Sequence, residues 1–60
     1  MRYFKNKYWI FEATDDLTKW RCIYDLETKE HVKGPWCNTY PYGWKNYIEL
    51  TKKDLFIEML

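Results

Sequence analysis

The sequence predicts an α+β fold, in which a small antiparallel β-meander of three or four strands is followed by one short C-terminal helix. Residues 20–26 alternate between apolar and polar side chains better than any other stretch, as a half-buried strand does. The segments on both sides of this stretch also have the composition of extended chain. A helix-capping signal follows at Thr51. At 60 residues, the chain is predicted to form a single compact domain, residues 1–60.

The first strand is predicted over residues 3–13, and the adjacent Asp15 and Asp16 that follow it favour a turn. The second strand, residues 18–26, is expected to be the middle of the sheet. A loop of two or four residues between them gives one register. It pairs Phe11 with Trp20, Trp9 with Cys22, Glu12 with Lys19, and Tyr8 with Ile23. A shorter hairpin around residues 5–7 is the alternative. It ranks second because Asn-Lys is a weaker turn signal than Asn-Gly.

A third strand is predicted over residues 31–36. A five-residue loop before it places Val32 opposite Tyr24 and Trp36 opposite Trp20, on the apolar face, whereas a two-residue turn at residues 28–29 would turn Val32 away. Glycine and proline then interrupt residues 34–44, which predicts irregular chain. Residues 45–50 have the pattern of a fourth strand.

The helix is predicted over residues 52–60. Thr51 can cap it with its hydroxyl, Asp54 stands three residues later as in a capping box, and Leu50 and Leu55 occupy the two positions of a hydrophobic staple. The apolar stripe that follows consists of Leu55, Phe56, Met59 and Leu60. A helix this short does not hold alone in water, so its apolar stripe is expected to pack on one face of the sheet.

Charge and hydropathy favour an ordinary soluble chain. Ten Lys and Arg against nine Asp and Glu leave a net charge of +1, which gives no general attraction to nucleic acid or to an anionic membrane. No apolar run approaches the roughly 20 residues of a membrane span, and the N-terminal residues lack the apolar core of a signal peptide. We therefore expect a cytoplasmic location, and no membrane partner.

No constellation of residues predicts catalysis, a metal site or a cofactor. Cys22, His31 and Cys37 are nine and six residues apart, without the close ligand pairs of a structural zinc site. A Cys–His nucleophilic pair would also need a residue that orients the histidine and a pocket for the substrate, which 60 residues rarely enclose. We therefore expect a protein that is not an enzyme, and free thiols rather than a disulfide.

Protein binding fits the composition best. Thirteen aromatic residues are more than so small a core requires, and interface centres are enriched in aromatic side chains. Four of these rings lie on the proline-containing irregular segment and are the predicted partner-binding residues: Trp36, Tyr40, Tyr42 and Trp44. These rings could instead fold inward and cover the end of the core, which we expect first of Trp36.

The alternative function is binding of single-stranded nucleic acid by a sheet face that carries rings and cations. The residues for it are Lys5, Lys7, Tyr8, Lys19 and Arg21. Acidic residues lie among them, and the chain lacks the usual basic excess.

We expect the partner to be another protein. Residues with AT-rich codons number 26, against 7 with GC-rich codons, and in type the chain resembles phage accessory proteins that bind and inhibit a host protein. A homodimer is also expected, because rings on both faces leave the first strand with an unprotected edge.

Overall fold

The computed structural model describes residues 1–60 and contains a five-stranded antiparallel sheet and one α-helix. The elements are, in chain order, β1 (Arg2–Lys5), β2 (Trp9–Ala13), β3 (Trp20–Asp25), β4 (Glu30–His31), a single 3₁₀ turn (Trp44–Asn46), β5 (Ile48–Leu50) and α1 (Lys52–Glu58). The α+β class is confirmed, with five strands where three or four are predicted. Neither helical segment has the length and apolar character needed to cross a membrane.

The strand order is β4-β3-β2-β1-β5, so the sheet is a four-strand meander to which β5 adds beside β1. The prediction that the 20–26 strand is the middle of the sheet is wrong, because β2 holds that place. The expectation that the first strand forms an edge is also wrong. β1 pairs on one side with β2 and on the other with β5, and the sheet edges are β4 and β5.

The predicted first strand is in fact a hairpin of two strands, which confirms the shorter alternative. Asn6 makes the turn, because its side-chain Oδ1 accepts the backbone N–H groups of Tyr8 (2.8 Å) and Trp9 (2.7 Å). The Asn6 N–H also donates to the Trp9 carbonyl at 3.1 Å. An asparagine that bonds its own backbone two residues on can replace the glycine of a tighter turn.

The predicted register of β2 and β3 is wrong by two residues at the loop end. Trp20 pairs with Ala13, Arg21 with Glu12, and Cys22 with Phe11. The reason is the loop, which spans six residues from Thr14 to Lys19 and is closed by the Thr14 N–H donating to the Lys19 carbonyl. Leu17 adopts a left-handed conformation (φ 63°), and Asp16 accepts bonds from both flanking threonines. These local bonds fix a longer loop than the two aspartates alone suggest.

A shift in pairing gives the sheet an apolar cluster on each face. The register changes between Phe11 and Ile10, so that Ile10 pairs with Tyr24 and Ile23 is left without a partner on β2. Such an extra residue changes which side chains share a face. We call the two sides the helix face, with Ile10, Tyr24, Leu50 and Leu55 buried, and the loop face, with Phe4, Ala13 and Trp20 buried.

The predicted third strand is reduced to the two residues of β4. His31 pairs with Tyr24 and Cys37 with Trp20, so the predicted pairs of Val32 with Tyr24 and of Trp36 with Trp20 are each wrong by one residue. Lys29 in a left-handed conformation (φ 60°) closes a four-residue turn instead of the expected five-residue loop. Beyond β4 the chain keeps scattered bonds to β3, from Val32 and Gly34.

The helix begins where the sequence predicts, but only part of its apolar stripe is buried against the sheet. The Thr51 hydroxyl accepts the Asp54 N–H at 3.1 Å, and Leu50 and Leu55 are both buried in the helix-face cluster. Met59 is partly buried against the same cluster. Phe56 and Leu60 remain 68% and 91% exposed, so the predicted packing of the whole stripe is wrong. With only seven residues, α1 covers one end of the helix face.

Candidate protein-binding site

An aromatic cluster on the loop face brings together two of the four predicted rings. Trp20 is buried at its centre, and its Nε1 donates to the Leu17 carbonyl at 2.8 Å. Tyr40 and Trp44 lie over Trp20, with ring centroids 6.1 and 5.7 Å from it. They stack on each other at 4.9 Å with an interplanar angle of 18°. The irregular segment thus folds back over the sheet, and Tyr40 and Trp44 cover the core as the inward-folding alternative predicts.

A groove of about 240 Å³ opens beside this cluster, between β3 and the irregular segment. We call it the Trp20 groove. Its apolar walls come from the sheet and from the segment that crosses it, and they are formed by Phe11, Trp20, Cys22, Pro35, Tyr40 and Pro41. Gly34 makes the close crossing possible. A side chain there would place its Cβ only 2.9 Å from the backbone oxygen of Cys22.

Tyr42 lies in the same segment as the groove-lining Tyr40 and Pro41, and its side chain is fully exposed. The backbone around it is fixed, although the ring is free. Its carbonyl accepts the hydroxyl of Tyr47 at 3.2 Å, and Gly43 follows in a left-handed conformation (φ 75°) that favours glycine. The Trp44 N–H donates to the Pro41 carbonyl, which closes the turn. A large ring therefore projects into solvent from an anchored loop.

Trp36 lies apart from the other three predicted rings. Because Cys37 pairs with Trp20 on the loop face, the neighbouring Trp36 points to the other side of the sheet. There the guanidinium of Arg21 lies 4.7 Å from its ring centroid, and Arg21 Nε donates to Glu12 at 2.9 Å. Trp36 remains 40% exposed and is not folded into the core. It belongs to a cation–π contact rather than to the groove.

The residues of the nucleic-acid alternative do not form one continuous surface. Lys5 is paired with Glu58, and Arg21 with Glu12. Lys7 and Tyr8 lie together in the β1–β2 turn, with the Lys7 ammonium 5.8 Å from the tyrosine ring centroid. Lys19 is in the loop at the other end of β2. A five-residue strand spans about 17 Å, so this set is split between the two ends of the sheet.

The three candidate metal ligands are also separate in their contacts. No group of three His, Cys, Asp or Glu side chains is placed to hold a metal ion. His31 packs edge-on against Tyr24, with ring centroids 5.1 Å apart. Burial raises the pKa of the Cys22 thiol, which keeps it protonated and weakly nucleophilic near neutral pH. Both cysteines are free thiols.

Comparisons with protein families, curated proteins and solved structures find no match for this chain.

The sequence alone did not identify the sheet side of the groove. The sequence places Phe11 and Cys22 on strands but does not predict them as groove residues, because that role depends on a segment more than ten residues away that folds over them. Gly34-Pro35 carried the one usable signal. A glycine followed by proline next to a strand can mark a place where two backbones approach closely, and here the approach opens the groove.

Proposed function

We propose that this chain is a small non-enzymatic protein-binding protein, and that its partner binds across the Trp20 groove and the ring of Tyr42. The observation that carries the proposal is an apolar groove whose own segment also bears a fully exposed tyrosine. Exposed rings of this size on an anchored loop are typical of interface centres, where a few aromatic residues contribute most of the binding free energy.

The size of the groove favours a side chain as its occupant. Pockets for small-molecule ligands usually measure about 300–1,000 Å³, and the Trp20 groove is smaller. It suits one aromatic or branched aliphatic side chain of a partner, with Tyr40 and Tyr42 contacting the surface around it. Pro41 lies between these two tyrosines and limits the backbone freedom that binding would remove.

The chemistry of the groove favours binding over catalysis. Two partly buried ionisable residues line it: Arg21, which is paired with Glu12, and Cys22, whose thiol pKa is raised by burial. An activated nucleophile needs the opposite shift and a neighbouring base. The ion pairs of Lys5 and Arg21 likewise favour a protein partner over nucleic acid, because paired cations offer less charge to phosphates.

The type of protein suggests the biological setting of this proposal. A short chain that is rich in aromatic residues and in residues with AT-rich codons suits a phage or mobile-element accessory protein, active in the cytoplasm, that binds and inhibits a host protein. The partner would then offer an exposed apolar side chain to the Trp20 groove.

Capture from a nuclease-treated lysate, followed by binding measurements on the isolated partner, tests the proposal. We expect Tyr42→Ala to weaken binding about thirtyfold, as expected for loss of a central aromatic contact worth about 2 kcal/mol. Phe56→Ala is the control, because Phe56 is also an exposed ring but lies on α1, which packs on the opposite face of the sheet through Leu55. It should leave the affinity nearly unchanged.

A second variant tests the groove itself. Cys22→Leu adds a branched side chain to its floor and should reduce binding at an unchanged unfolding midpoint. Raising the salt from about 50 to 500 mM should change the affinity little. A steep salt dependence with no effect of Tyr42→Ala, together with a loss on Lys7→Ala, would assign the surface to nucleic acid instead.

A further inference from the structure

The outer edge of β5 carries a self-complementary set of backbone groups. In an antiparallel sheet, successive residues of a strand point their N–H and C=O groups to alternate sides. Asn6 donates its N–H to Trp9, so Tyr3 and Lys5 of β1 bond in the other direction, toward β5. Their partners are Leu50 and Ile48. The N–H and C=O of Glu49, between these two, therefore point away from the sheet.

The strand geometry continues for one residue at each end of β5. Tyr47 (φ −74°, ψ 153°) and Thr51 (φ −73°, ψ 167°) are both extended. By alternation, their backbone groups point outward like those of Glu49. Two of these groups are already used, because the Tyr47 N–H donates to Trp44 at 3.0 Å and the Thr51 C=O accepts from Leu55 at 2.9 Å. The free groups are the Tyr47 C=O, both groups of Glu49 and the Thr51 N–H.

We propose that β5 pairs with β5 of a second copy of this chain, antiparallel, about a two-fold axis at Glu49. This pairing forms four hydrogen bonds. Glu49 exchanges two with its counterpart, and each Thr51 N–H donates to the Tyr47 C=O of the other copy. The Tyr47 N–H and the Thr51 C=O, which already bond within their own chain, lie opposite the Thr51 C=O and the Tyr47 N–H of the other copy. A second copy therefore matches the edge with no backbone group left unpaired, which an unrelated strand would not do.

The side chains at this edge agree with a second copy as the occupant. On the helix face, Ile48 would lie opposite Leu50 of the other copy, and Ile48 is 60% exposed in the single chain. The two Glu49 side chains would face each other on the opposite side. Each is neutralised by Arg2, whose Nε and Nη2 donate to its two oxygens at 2.9 and 2.8 Å. The edge also lacks the proline or unpaired lysine that blocks edge pairing in monomeric proteins.

Sedimentation equilibrium from micromolar to millimolar concentration tests the dimer, with a matched pair of variants. Ile48→Lys places a charge at the proposed interface, and Ile57→Lys places it on the helix surface at nearly the same exposure, 57% against 60%. We expect Ile48→Lys to weaken self-association at least tenfold and Ile57→Lys to leave it unchanged. Equal effects of the two variants, or a monomer at every concentration, would overturn the proposal.

Amide hydrogen exchange gives a readout that loss of folding would not imitate. Protection of the Glu49 and Thr51 N–H groups should rise with protein concentration, whereas the Ile48 and Leu50 groups, bonded to β1 in each copy, should be protected at all concentrations. Glu49→Pro removes the central donor at a position where an edge strand tolerates proline. It should abolish the concentration dependence while the sheet stays folded. A dimer that persists in this variant would contradict pairing at β5.

Discussion

Asp16 shows how one side chain sets the length of the β2–β3 loop. Its Oδ1 accepts the hydroxyls of Thr14 (2.7 Å) and Thr18 (2.8 Å) and the Thr18 N–H (3.1 Å). The bond from Thr14 contributes most and the bonds from Thr18 contribute next, and together they lower the pKa of Asp16 to about 2. They hold the carboxylate in its charged form, and with it the six-residue loop.

This lowered pKa predicts a loss of stability in acid. Because the pKa of Asp16 is lower in the folded chain than in the unfolded one, its contribution is present above about pH 4 and is lost as the pH falls toward 2. We expect Asp16→Asn to lower the unfolding midpoint at pH 7. The difference between the variant and the parent chain should shrink between pH 5 and pH 2. Thermal melts across this range measure it, and a constant difference would contradict the assigned role.

Gly34 is the second position where a single residue decides the local structure. We expect Gly34→Ala to cost about 1–3 kcal/mol of unfolding free energy, because its Cβ would meet the Cys22 backbone and push the crossing segment away. Lys33→Ala, at the exposed neighbouring position, should stay within about 0.5 kcal/mol. Denaturant titrations of both variants test this. Equal stability of the two would show that the segment can shift without loss.

At the scale of elements, the helix depends on one buried contact more than on its apolar stripe. Leu55 joins Ile10, Tyr24 and Leu50 in the helix-face cluster, and Phe56 stays outside it. We expect Leu55→Ala to cost about 2–5 kcal/mol, and Phe56→Ala to stay within about 0.5 kcal/mol. Thr51→Ala should cost about 1 kcal/mol through loss of the cap. Equilibrium unfolding in denaturant ranks the three, and a large effect of Phe56→Ala would place the helix differently.

The elements that the sequence could predict are those with local signals. The cap at Thr51 and the staple between Leu50 and Leu55 lie within five residues of each other, and the structure contains both. The fourth strand predicted over residues 45–50 is present as Ile48–Leu50, but the prediction is wrong for its first two residues, which belong to the 3₁₀ turn Trp44–Asn46. Its partner was not predictable, because nothing near β5 in the chain indicates that it pairs with β1.

The registers failed for a related reason. The predicted pairs placed large apolar groups opposite one another, which is sound where a sheet has one buried face. This sheet has an apolar cluster on both faces, so facing rings do not select one alignment. The side-chain bonds of Asn6 and Asp16 decide the loop lengths instead. For the candidate site, the sequence predicts the rings of residues 40–44, but it does not predict that Phe11 and Cys22 form the floor of the groove.

At the scale of the whole molecule, stability should depend on neither a disulfide nor a metal. The two cysteines are free, and no cluster of ligands is placed to hold a metal. We expect neither a reductant nor a chelator to move the thermal unfolding midpoint. Melts with and without each reagent measure this directly. A drop with reductant would indicate a disulfide in solution, and a drop with chelator would indicate a bound metal.

The pairing of β1 with β5 also has a consequence in time. Tyr3 and Leu50 are partners across 47 positions of sequence, so the sheet cannot be completed by contacts between neighbouring segments. Chains dominated by such distant contacts fold in milliseconds to seconds, more slowly than helical proteins of equal length. During synthesis, one side of β1 stays unpaired until residues 48–50 have left the ribosome. The N-terminal hairpin with its exposed rings therefore has an unprotected edge in the nascent chain, and it is most prone to aggregate at that stage.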